Sequence, residues 1–92
     1  MTRMQHNDII TVITHAGEFV GKLKGEVGDT ITILDPLMVV STQEGQGGFS
    51  PDYCLTGQKS VDWITFREYI FAIPTNLEVV RAWRESTSGL IV

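Results

Sequence analysis

Ile9-Ile10-Thr11-Val12-Ile13-Thr14-His15-Ala16-Gly17-Glu18-Phe19-Val20-Gly21-Lys22-Leu23-Lys24 is the stretch that decides the fold. Its first six residues are mostly β-branched, and stiff χ1 torsions favour a pleated strand over a helix. Gly17 can take a positive φ in a tight connection, and Glu18 to Lys24 resumes the strand pattern beyond it. The pair reads as a hairpin. Gly21, and Gly25 just past the stretch, would weaken a flat sheet, but they suit a strand that bends sharply or that a neighbour approaches closely. The sheet is therefore expected to be strongly curved.

Working outward, Val27-Gly28-Asp29-Thr30 reads as the next turn. Ile31, Ile33 and Leu34 begin a third strand, which Pro36 interrupts and Leu37-Met38-Val39-Val40 resumes. Residues 41–60 hold Gly45, Gly47, Gly48, Pro51 and Gly57 without a helical or strand period, so they read as a long loop with room for a short turn or strand around Phe49 to Leu55. Val61 to Phe66 gives a fourth strand, Arg67-Glu68 a very tight turn, and Tyr69 to Ile73 a fifth strand before Pro74. Thr75-Asn76-Leu77-Glu78 has the spacing of a capping box, which predicts a helix over 75–88 with Leu77, Val80 and Trp83 on its packed stripe. Leu90-Ile91-Val92 either docks as a strand or trails. The chain is read as one mainly β domain over 1–92: five bent antiparallel strands within 9–74, then one C-terminal helix.

Composition agrees. Hydrophobic residues make up 42% and charged residues 20% of 92 positions, as in folded globular chains. A domain this small buries only about 60–65% of its unfolded surface, so association with further copies is a natural supplement to its core. Seven basic against eleven acidic side chains leave a net charge of −4, which gives no global positive field for phosphates. Any nucleic-acid site must be local. A single cysteine, Cys54, excludes an internal disulfide and points to a reducing, cytoplasmic setting. The N-terminal residues lack a signal-peptide core, and no run approaches the ~18 apolar residues of a membrane span.

Nothing in the chain has the pattern of an active site. Gly45-Gln46-Gly47-Gly48 lacks the Gly-Lys-Ser/Thr ending of a phosphate loop, and Gly57-Gln58-Lys59-Ser60 leads towards a strand instead of a helix. His6 and His15 stand apart from other ligand-type residues, so no metal or cofactor is expected. Cys54 has no activating neighbour in sequence, and Asp52 and Asp62 have no pattern that implies acid–base work.

The glycine and strand pattern resembles the Sm-like (Sm/LSm) family of small SH3-like barrels. Val12, Gly17, Gly21, Leu23, Asp29 and Ile31 to Leu34 lie on its first motif, and Phe66-Arg67-Glu68-Tyr69-Ile70-Phe71-Ala72-Ile73 on its second. Thr30 replaces the family's asparagine, Glu68 stands where glycine is usual, and the helix follows the barrel instead of preceding it. Within the family the nearest likeness is to divergent, uncharacterised proteins of cyanophage origin.

Two exposed apolar strand edges are aggregation templates unless covered. The candidates are Trp63, Ile64 and Phe66 on the fourth strand and Ile70, Phe71 and Ile73 on the fifth. The resemblance implies that copies cover each other's edges in a homo-oligomeric ring, of order between pentamer and heptamer. It also implies a site for single-stranded RNA, or DNA, at two turns: Asp29 with Thr30 reading a base edge, Arg67 on phosphate or base, and Tyr69 stacking, with Glu68 opposing phosphate approach. Lys22 and Lys24 are secondary candidates, either as solvated charges or along a phosphate backbone. Arg67 could equally pair with Glu68 or with an acid of a neighbouring copy, and Tyr69 and Phe66 could serve packing. The competing reading is a structural or protein-interaction subunit, possible in a phage-related particle, that binds no nucleic acid. Neither reading includes catalysis.

Overall fold

A computed structural model describes residues 4–41, 47–50, 53, 56–58 and 60–87. Six strands precede one helix: β1 (Ile9–Thr14), β2 (Gly17–Val27), β3 (Thr30–Ser41), β4 (Gly47–Ser50), β5 (Trp63–Arg67), β6 (Phe71–Pro74) and α1 (Leu77–Thr87). All pairings are antiparallel, in the order β4-β3-β2-β1-β6, with β5 also on β3. The mainly β, antiparallel architecture is as expected, but the sheet has six strands instead of five and is open. Among the described residues β5 pairs only with β3 and β6 only with β1, so each keeps one edge unpaired.

The hairpin of β1 and β2 forms where the sequence places it, with Thr14 opposite Gly17. Thr14 Oγ1 holds the turn, accepting from the Ala16 and Gly17 amides and donating to the Gly17 carbonyl at 2.9 Å. Along β2 the register with β3 shifts twice, between Val20 and Lys22 and between Leu23 and Gly25. These irregularities fall beside Gly21 and Gly25. Bulges of this kind bend a strand and raise its twist.

The sixth strand follows from Pro36. The interruption expected at Pro36 is an irregularity within one strand, since β3 resumes beyond it and runs to Ser41. Asp35 takes φ +48° there, and β3 changes partner on one edge: Thr30 to Leu34 pair with β5, and Met38 to Ser41 with β4. A residue without an N–H suits the gap between two ladders. The buried Pro36 still uses its carbonyl, which accepts from the Tyr53 hydroxyl. The loop expected over 41–60 thus contains β4, while 42–46, 51–52, 54–55 and 59, with Asp52, Cys54 and Lys59, lie outside the described residues. So does Leu90-Ile91-Val92.

One face of the sheet carries the main core: Ile10, Val12, Phe19, Leu23, Ile31 and Ile33, with Met38, Phe66, Tyr69 and Ala72 packed against them. Phe19 stacks tilted on Phe66 at 4.9 Å between ring centres. The opposite face is where α1 lies, burying Trp83 against Ile9 and Val20 with Leu37, Val39 and Phe49 around it. Trp83 Nε1 donates to the Asp35 carbonyl at 3.0 Å, which ties the helix to the irregular point of β3.

Two helix expectations change. Asn76, not Thr75, is the N-cap: its Oδ1 accepts from the Val79 amide at 3.0 Å, while the Thr75 hydroxyl is bonded to that of Thr11. Leu77 is 82% exposed instead of lying on the packed stripe. At 3.6 residues per turn it stands about 120° around the helix from Trp83, whereas Val79 and Val80 fall within about 60° of it. None of the described helices is long and apolar enough to cross a membrane.

Candidate nucleic-acid interface

Pairing of β3 with β5 sets Thr30 opposite Arg67. Two turns distant in sequence therefore meet at one end of the sheet: Gly28-Asp29 between β2 and β3, and Glu68 to Ile70 between β5 and β6. Gly28 takes φ +60° at the first position of its turn, as hairpin turns of the primed type require. Thr30 Oγ1 donates to the Val27 carbonyl at 2.7 Å and closes that turn. Glu68 also takes φ +60°, a conformation that costs a side-chain-bearing residue some strain, so its turn is tighter than its residue type favours. The Ile70 amide donates to the Ile13 carbonyl and sets the entry into β6.

Asp29, Arg67 and Glu68 are exposed, and Thr30 is half-buried. Among the described residues no acid forms an ion pair with Arg67. Tyr69 is half-buried against the main core, so part of its ring serves packing. The junction thus offers one guanidinium, two carboxylates and a threonine hydroxyl within two turns.

Of the expected edge residues, Ile70, Phe71 and Ile73 are 52%, 47% and 48% exposed, and Trp63 is 55% exposed. Ile64 and Phe66 are half-buried. Their register partners are the fully buried Ile33 and Ile31, which turns both side chains towards the main core and away from any edge contact. The core contacts of the helix are with β1 to β4 and include no residue of β5 or β6.

Alternation along Trp63-Ile64-Thr65-Phe66-Arg67 sends Trp63, Thr65 and Arg67 to the face opposite the main core. Lys24 reaches the same face, with Nζ 5.9 Å from the centre of the Trp63 ring. Beneath them the Thr32 and Thr65 hydroxyls bond at 2.7 Å. These residues line an open recess of about 420 Å³ with Thr30 and the exposed Val27. Lys22 lines a second recess of about 430 Å³ beside Trp83 and Arg84. Sequence reasoning did not single out Thr32, Thr65 or Arg84. The strand alternation could have grouped the two threonines with Trp63, but Arg84 comes from the helix and had no signal. His6 and His15 are exposed, and no group of three or more metal-ligating side chains occurs among the described residues.

No protein-family model matches the chain, and comparison with curated proteins gives no match.

Proposed function

We propose that the protein is a non-catalytic, ring-forming subunit of Sm-like type that holds single-stranded RNA at the junction of its two turns. The observation that carries this reading is the Thr30–Arg67 pairing, which joins the two turns that the resemblance assigns to RNA. Exposure of Phe71 and Ile73 beside the unpaired edge of β6 supports assembly. A β5 edge of one copy paired with a β6 edge of the next would close the sheet across the ring and repeat each arginine turn around a shared opening. Repetition raises a weak local site to a useful avidity. Bases would stack or hydrogen-bond at the turns, as single-strand recognition requires.

The acidic balance and Glu68 beside Arg67 favour the second reading, an assembly subunit with no nucleic-acid role. Titrating labelled oligo-U, oligo-A and oligo-dT with the protein at two salt concentrations separates the two. Binding that weakens as salt rises is expected, with light scattering giving a mass several times that of the 10.2 kDa chain. A multimer that binds none of the three at micromolar protein in low salt is the assembly subunit. A monomer removes the ring.

A further inference from the structure

We propose a second contact for single-stranded nucleic acid, on the helix-bearing face of the sheet, centred on Trp63 with Lys24, Lys22 and Arg84. It rests on the reading that the protein takes a single strand, but it uses residues separate from the turn junction.

Charge distribution is the first argument. Seven lysines and arginines occur in the chain, of which Arg3 and Lys59 lie outside the described residues, leaving five. Three of those five, Lys22, Lys24 and Arg84, border the two recesses on this face. Among the described residues no acid lines either recess. Because the β2 register shifts at Lys24, Glu26 falls opposite the buried Ile31 and so on the main-core side, while Val27 takes the outward position opposite Thr30. Asp35 and Asp62 line a different recess, with Pro36 and Thr87, and Glu18 and Glu78 another, beside Val39 and Phe49. Lys22, Lys24 and Arg84 thus border two recesses without an acid on their described walls, although Glu85 shares a further recess with Arg84.

The second argument is the exposed indole. Trp63 is 55% exposed on an outward strand position, where packing does not need it. Lys24 crosses the intervening strand β3, a span of about 9–10 Å between β2 and β5, to place its ammonium near the ring. A base has a π-face whatever its identity and can stack on the indole in the ammonium's place, and the displaced lysine then meets the adjoining phosphate. The paired Thr32 and Thr65 hydroxyls on the floor can reach a sugar hydroxyl or a base edge. Lys22 lies two residues along β2 from Lys24, about 6–7 Å, and Arg84 continues the strip. An extended anion fits this row better than a single phosphate, and the aromatic at its end selects a nucleic acid over an acidic peptide.

The test compares the intact protein with Trp63→Thr, with the Lys22→Gln/Lys24→Gln double variant and with Arg67→Gln, using labelled oligo-U and oligo-A over a salt series. Trp63→Thr is expected to weaken binding roughly 5- to 150-fold, the loss of one stacked base. The double lysine variant should lower the slope of log K against log salt by about 1.4, at about 0.7 for each single-strand phosphate contact. Tryptophan emission should be quenched by the oligonucleotide in the intact protein and much less in Trp63→Thr, since Trp83 is buried. Should Trp63→Thr change the assembled mass, the lysine variant, which keeps the indole, decides. If both outer-face variants bind like the intact protein and Arg67→Gln does not, the turns alone hold the strand and the outer contact is refuted. If poly-glutamate displaces the oligonucleotide at equal charge concentration, the strip is an anion surface and the proposal fails. No binding by the intact protein would sink the function itself.

Discussion

Gly21→Ala tests the bent sheet most directly. A Cβ at Gly21 would lie 2.9 Å from the Leu34 carbonyl oxygen, 2.9 Å from Ile33 Cδ1 and 3.0 Å from Ile33 Cβ. Optimal carbon contacts are about 3.5–4.0 Å, so the new methyl overlaps its surroundings by roughly half an ångström or more. Two of the three atoms cannot swing aside: one is backbone and the other is the branch point of a side chain with no exposure. The strain must pass into the β2–β3 bulge, at the cost of overpacking, about 1–3 kcal/mol. A 92-residue domain has a stability of about 5–14 kcal/mol, so this is a substantial fraction. The assay is urea denaturation followed by circular dichroism, with protein concentration fixed because any assembly adds to apparent stability. With a slope near 1 kcal/mol/M, the midpoint should fall by about 1 M or more. Gly25→Ala is the matched control, because its Cβ would meet nothing within 4 Å and its φ lies outside the left-handed region. It should hold its midpoint or gain a few tenths of a kcal/mol through the unfolded chain. Equal midpoints for Gly21→Ala and the parent would refute the close approach of β3.

Three further outcomes follow from single contacts. Asn76→Ala removes the acceptor for the Val79 amide and should cost about 1 kcal/mol in thermal unfolding; an unchanged melting temperature would return the cap to another residue. Trp83→Phe keeps an aromatic in the second core but leaves the Asp35 carbonyl without its donor, for a loss of about 1–2 kcal/mol by denaturant titration, and no loss would mean that the helix is not anchored there. Ile73→Lys puts a charge beside the unpaired edge of β6 and should reduce the mass seen by light scattering to that of the 10.2 kDa chain with the far-ultraviolet spectrum kept. A mass unaffected by that charge would show that the β6 edge is not an interface.

The β1–β2 hairpin was legible because local chemistry sets it: β-branched residues for the strand and a glycine at the connection. The bend was legible for the same reason, since Gly21 and Gly25 stand beside the register shifts. Pro36 marked the interruption of the third strand but hid its cause: β3 has two neighbours on the same edge and needs no donor between them. That depends on the long-range placement of β4 and β5, and no local pattern carries it. Leu77 misled in another way: any apolar residue at helical spacing can be drawn onto a stripe, and only the sheet beneath decides which arc is packed.

For the site, the resemblance picked the two turns, but their meeting depends on a register that sets residue 30 against residue 67. The charge count was the weaker guide. A total of −4 argues against phosphates only if charge is spread evenly, and a pleated sheet spreads nothing evenly. Alternation gives successive residues to opposite faces, and the bulge at Lys24 breaks the alternation once. That break keeps Lys24 and Val27 on the helix-bearing side and sends Glu26 to the other. One extra residue in β2 thereby takes Glu26 off the face of Lys24, while Glu18 stays on it, and leaves a lysine near an exposed tryptophan. Deleting Lys24 would leave Leu23, Gly25, Glu26 and Val27 paired one to one with Ile33, Thr32, Ile31 and Thr30, so the faces beyond it stand and only the lysine is lost. Whether an acidic chain can hold an anionic strand is thus a question about register before it is one about composition.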